Sequence, residues 1–118
     1  MGNDIKLLKT IIKYCKGIEN AMNRFGSDEE DFLDDPEYQY TCSFCIIQIG
    51  ETVKRLSAQT IEEHPETPWS KIAGMRDLIA HEYGNINLNI VWITINERIP
   101  VLKDACEKIL RELEAPSE

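Results

Sequence analysis

Within the stretch Arg76-Asp77-Leu78-Ile79-Ala80-His81-Glu82-Tyr83 stand a cation, a carboxylate, an imidazole and a phenol. Histidine, with an ordinary pKa of about 6.5, can give or take a proton near neutrality. Arginine offers a planar, permanently charged fork that suits an oxyanion or a phosphate. Cleaving an RNA phosphodiester without a metal needs a base for the 2′-hydroxyl, an acid for the leaving 5′-oxygen, and a cation for the charge growing on phosphorus. His81 is a candidate for the proton roles and Arg76 for the third, and such chemistry would leave a 2′,3′-cyclic phosphate. A histidine near a helix end is also commonly a cap or a satisfied polar contact, and spacing alone does not choose between the two.

The stretch must be carried by a helix. Thr67 reads as an N-cap with Pro68 in the first turn, the pattern runs from Pro68 to about Glu82, and Gly84-Asn85 reads as the C-cap pair. At 100° per residue, Asp77 and His81 lie about 100° and 140° from Arg76, and Tyr83 falls back beside Arg76. The polar residues thus occupy two edges. Ile72, Met75 and Ile79 point between them to the core. Asp77 and His81, four apart, suit a hydrogen bond from imidazole to carboxylate that orients the ring. The small residues Ala73, Gly74 and Ala80 on that edge let a second helix or subunit come close. Joint action of Arg76 and His81 then needs a long arginine reach, fraying near Gly84, or two chains.

The rest of the chain supplies partners for that helix. Residues 3 to 25 place Ile5, Leu8, Ile11, Ile12, Cys15, Ile18, Met22 and Phe25 at helical steps, with Lys6, Lys9, Lys13 and Lys16 as a basic stripe. That stripe reads first as a solvated face, and otherwise as a track for phosphates. Ser27 with Glu30 has the form of a capping box and predicts one short helical turn. Pro36, capped by Asp35, opens a second long helix to about Ser57, with Tyr40, Phe44, Ile47, Val53 and Leu56 as apolar contacts. The segment Glu62 to Pro68 reads as a loop, and its His64 as solvent-exposed. Ile90 to Leu113 is again helical, kinked or divided at Pro100. Trp69 and Trp92 read as core or interface anchors. With no alternation at period two, the expected fold is all-α: an antiparallel four-helix bundle with a short extra helical turn and a kinked or split last helix.

With 118 residues, 42% of them hydrophobic and 29% charged, the chain fits one domain spanning 1–118, with ends 1–3 and 115–118 expected to be flexible. No apolar run approaches the ~20 residues needed to cross a bilayer, and the lysine-studded start does not resemble a secretion signal. A cytoplasmic location and no membrane partner follow as expectations. Cys15, Cys42, Cys45 and Cys106 are expected as buried thiols, since Cys42-x-x-Cys45 lacks a second ligand pair and lies inside an apolar helical pattern. No metal or cofactor is expected. A formal net charge of −8 means that any RNA site must be a local basic patch, or one contributed twice in a dimer.

The spacing R-x4-H-x-Y resembles that of the HepT-like toxin ribonucleases of the HEPN superfamily. The likeness extends through Ile49-Gly50-Glu51, Trp69 to Arg76, Val91-Trp92 and Ile99-Pro100-Val101-Leu102, about residues 5 to 112 in all. It implies a HEPN-type bundle and a metal-independent endoribonuclease acting on RNA. It also implies a homodimer whose motif segments border one cleft, as in a type VII-like toxin–antitoxin pair. Arg76 and His81 would be catalytic and Asp77 orienting, with Glu51 either in the cleft or else in a salt bridge or a solvated position. The implied antitoxin is a minimal nucleotidyltransferase that silences the toxin by adenylylating Tyr83. The alternative is a non-catalytic HEPN binding module that docks such a nucleotidyltransferase and presents its substrate or nucleotide.

Overall fold

The computed structural model describes residues 2–81 and 87–116, and for Gly2, Ala80 and His81 the backbone alone. In chain order the elements are α1 (Gly2–Phe25), α2 (Glu29–Leu33), α3 (Pro36–Val53), α4 (Ala58–Glu63), α5 (Trp69–His81), α6 (Leu88–Ile93), a π-helical turn (Thr94–Arg98) and α7 (Ile99–Glu114). No strand occurs among the described residues. The expected all-α antiparallel bundle is what the chain forms. Its four long members are α1, α3, α5 and the final run from α6 to α7.

Helix α1 packs on both α3 and α7, and α3 lies between α1 and α5. The sequence explains this order. Leu8, Ile11, Cys15 and Ile18 of α1 are wholly buried, as are Cys42 and Ile49 of α3. Ile72, Met75 and Ile79 of α5 turn inward as the wheel requires. Leu7 joins the core where Ile5, expected there, is only half-buried. At one end Phe32, Tyr38 and Trp92 meet edge to face and tilted, with ring centres 5.1 to 6.4 Å apart. Trp92 is therefore a core anchor, and so is Trp69, whose indole N–H donates to the His64 carbonyl at 3.0 Å.

Local chemistry sets the boundaries. Gly26 ends α1 at φ 120°, a conformation that side chains resist, and its N–H donates to the Met22 carbonyl at 3.0 Å. Asp35 caps α3 as expected, accepting from the amides of Glu37 and Tyr38. The cap of α2 sits one residue later than Ser27–Glu30 suggested: the Asp28 amide donates to Asp31 Oδ2 at 3.3 Å. In so acidic a run several residues can cap, and packing of Phe32 selects the register. Helix α5 starts at Trp69, and Gly84-Asn85 lies outside the described residues.

Three expectations need correction. In α3, Tyr40 and Phe44, expected as apolar contacts, are 70% and 54% exposed, because Tyr38, Cys42, Ile46 and Ile49 take the inward arc and a residue two positions along a helix from that arc points away from it. Helix α3 ends at Val53, and a further helix, α4, occupies part of the predicted loop, capped by Ser57. Buried Asp4 is the cause. Its carboxylate accepts from the Ser57 amide (3.1 Å), the Ser57 hydroxyl (2.5 Å) and the Thr60 hydroxyl (2.6 Å), which fixes the start of α4 against α1. His64, expected in solvent, is half-buried instead. Its Nδ1 lies 2.9 Å from the Thr60 carbonyl and its Nε2 3.4 Å from Glu112, linking α4 to α7. The irregularity expected at Pro100 takes the form of the π-helical turn just before it, so the last helix is one run of 27 residues. Proline lacks an N–H and crowds the carbonyl four residues back, and a wider turn accommodates both.

Candidate active site

Helices α3 and α5 meet at Gly50. A Cβ placed there would fall onto Arg76 Cβ, and would lie 3.4 Å from the Ile72 carbonyl. Only hydrogen at that position lets the stem of Arg76 lie against α3. With Ile72, Met75 and Ile79 held in the core, Arg76 and Asp77 emerge together at the edge of the α3–α5 seam.

Four charged groups converge there. Arg76 Nε touches Glu51 Oε1 of α3, an ion contact rather than an aligned hydrogen bond, and Nε itself is fully covered. Arg76 NH1 donates to Asp77 Oδ1 at 2.9 Å, and Lys54 Nζ donates to the same oxygen at 2.8 Å. The hydrogen bond from Lys54, then that from Arg76, holds the Asp77 carboxyl below its usual range. Two cations and two carboxylates sum to zero. The Arg76 side chain keeps 29% of its surface exposed. An anion reaching its fork therefore meets a fixed cation, and has to compete with Glu51 and Asp77 for it.

The structure thus unites Arg76, Asp77 and Glu51. For Glu51, the salt bridge is realised. Asp77, expected to orient His81, turns its Oδ1 to Lys54 and Arg76. His81 closes α5 in the backbone, about 7.5 Å beyond Arg76 along the helix axis. The expected Asp77–His81 bond concerns a side chain outside the description, and Tyr83 is outside the described residues. Sequence reasoning passed over Lys54. Its position three residues after Glu51, on the same helical face, was the available signal.

Cys15, Cys42, Cys45 and Cys106 are all free and buried. Burial pushes every one of these thiols upward, Cys42 and Cys106 to about 12. They are core residues. Among the described residues, no group of His, Cys, Asp and Glu is placed to hold a metal, and no helix is long and apolar enough to cross a membrane.

This bundle, with its motif helix seated on α3, has close relatives. The profile of the family described as "Ribonuclease HepT-like" matches residues 10–109. The chain belongs to that HepT-like ribonuclease family. It is 36% identical over 105 residues to "Putative RNase TTE0752" of Caldanaerobacter subterraneus subsp. tengcongensis, covering 89% of this chain and 92% of that one. To "Putative RNase MJ0125" of Methanocaldococcus jannaschii it is 35% identical over 112 residues, covering 94% and 95%. To "Probable ribonuclease HepT" of Thermococcus cleftensis it is 38% identical over 80 residues, covering 68% and 73%. No solved structure matches the chain significantly.

Proposed function

We propose that this chain is a metal-independent endoribonuclease, the cytoplasmic toxin of a type VII-like toxin–antitoxin pair. His81 performs the proton transfers and Arg76 stabilises the phosphate. One observation carries the reading: Arg76 is fixed by Gly50, Glu51 and Asp77 yet remains part-exposed, in the R-x4-H-x-Y register, inside the matched family region. Catalysis of this kind gains most from a cation that needs no rearrangement when charge develops. Lys54 supports it by drawing on Asp77, which weakens that carboxylate's hold on the guanidinium.

The active form in this reading is a homodimer. Two copies bring Arg76 and His81 twice to one cleft, so that one imidazole acts as base and the other as acid, and an acidic protein gathers positive charge where RNA is cut. Tyr83, aligned with Arg76 on an ideal helix, is the acceptor at which a nucleotidyltransferase antitoxin adenylylates and silences the site.

The test is expression of wild type against His81→Ala, with growth and total RNA followed, alongside the purified proteins on RNA. His81→Ala should lose at least about a hundredfold in cleavage and its toxicity, while still binding the nucleotidyltransferase. If purified wild type, free of the partner, leaves RNA intact while the partner's activity depends on it, this chain is a docking module. The pairing of Arg76 with two carboxylates would then be structural.

A further inference from the structure

Positive charge is unevenly distributed along this chain. Helices α1 and α7 carry eight of the thirteen basic residues (Lys6, Lys9, Lys13, Lys16, Arg24, Lys103, Lys108, Arg111) and six acidic ones, while the remainder holds five basic and fifteen acidic residues. The pair is therefore +2 on a body that is otherwise −10. Where the two helices pack, they border an open groove of about 640 Å³. Lys9, Lys13 and Lys16 come to it from one wall and Arg111 from the other. Ile12 and Leu110 form an apolar floor, and Glu107 is the carboxylate in the lining.

Pairing separates this groove from the α3–α5 site. Lys54 and Arg76 there are both engaged by carboxylates. Among the described residues, no carboxylate lies within ion-pair distance of Lys13, Lys16 or Arg111, and Lys13 Nζ instead stands 5.3 Å above the Tyr14 ring. Lys9 alone of the four is paired, with Glu114 at 3.3 Å, and both side chains are largely exposed. Such a pair is weak and exchanges readily. Lys9, Lys13 and Lys16, at four- and three-residue steps along one wall, rise about 6 and 4.5 Å from one to the next. That suits the successive charges of a polyanion, and an apolar floor between charged walls suits the sugars and base edges of a single strand.

We propose that the α1–α7 groove binds the phosphodiester backbone of single-stranded RNA at a distance from the cutting site, with Lys13, Lys16 and Arg111 as its phosphate contacts. The choice of RNA rests on the ribonuclease reading above. Because α3 stands between α1 and α5, a bound strand would reach the α3–α5 seam only by passing round the bundle, whose shorter dimensions are 28 and 20 Å. The groove would then raise affinity for long RNA without taking part in cleavage.

The experiment compares wild type, Lys13→Gln/Lys16→Gln and Lys108→Gln by fluorescence anisotropy. The probe is a 2′-O-methylated oligouridylate of about 20 nucleotides, which cannot be cleaved through its 2′-oxygen. All three substituted lysines are exposed, so the fold should survive, and thermal melts check this. The double variant should bind about tenfold more weakly, with its log K against log salt slope flattened by about 1.4 for two lost contacts. Lys108→Gln, outside the groove lining, should match wild type. Cleavage of unmodified RNA by the double variant should show a raised KM and an unchanged kcat. The proposal is overturned if affinity and salt slope do not change, if Lys108→Gln weakens binding equally, or if polyglutamate binds and the oligouridylate does not. Lysine-dependent binding by a wild type that cleaves nothing would support the groove and remove the ribonuclease reading.

Discussion

In the proposed reaction Arg76 serves because it is held. Its stem occupies the space that a side chain at position 50 would need, so Gly50→Ala tests the arrangement directly. Alanine would add helix propensity of about 0.5–1 kcal/mol. The added methyl, however, meets Arg76 Cβ, which is anchored to the backbone and cannot swing aside as a side-chain tip could. Overpacking costs typically about 1–3 kcal/mol and should win. The variant is expected to melt lower than wild type and to cleave RNA more slowly, as α5 is pushed off α3. A raised melting temperature with full activity would show that the close approach constrains nothing.

At the scale of elements, one carboxylate fixes how α1 and α4 meet. Asp4 is 2% exposed and accepts three hydrogen bonds from Ser57 and Thr60. Burial pushes its pKa up, but the Ser57 and Thr60 hydroxyls and the Ser57 amide outweigh that, and the net direction is below the ordinary 3.8. Asp4→Ala would leave those donors without their acceptor, at a cost of about 3 kcal/mol measured by denaturant unfolding near neutrality. A depressed carboxyl contributes fully above its unfolded pKa and loses that contribution as pH falls through the folded value. The gap between wild type and Asp4→Ala should therefore be constant above about pH 5 and shrink below 3.8. A gap independent of pH would mean that the ionised form is not what holds the junction.

For the molecule as a whole, the four cysteines report on the integrity of the core. All lie inside the bundle with thiols shifted upward by burial, so almost no thiolate is present or accessible at neutral pH. A disulfide reagent such as DTNB should react slowly with native protein and rapidly with all four thiols in guanidinium. Prompt reaction of one thiol without denaturant would show that the helix carrying it opens locally. The charge segregation between α1–α7 and the remainder belongs to this scale too. It reconciles an acidic chain with a polyanionic substrate without requiring any change in net charge.

The sequence by itself determined the long helices and the inward faces of α1, α5 and α7, but neither α4 nor the inward face of α3, where Tyr40 and Phe44 are exposed and Tyr38, Cys42, Ile46 and Ile49 are buried instead. Spacing of three and four placed Ile11, Ile18, Ile72 and Ile79 in the core, because burial of an apolar stripe follows from helical geometry alone. It also determined the Asp35 cap, the disturbance ahead of Pro100, and the register of Arg76 within its motif. Only the tertiary structure decided who meets whom. A hydrogen bond between Asp4 and Ser57 depends on how α1 lies across the end of α3, and no local periodicity encodes that. In the same way Gly50 reads as an indifferent helical glycine until α5 is laid against it, Glu51 and Lys54 as solvated charges until Arg76 and Asp77 arrive, and His64 as a loop residue until Glu112 comes within reach. Helical pattern is set by neighbours in the chain. Pairing across helices is set by which small residue lets two backbones approach.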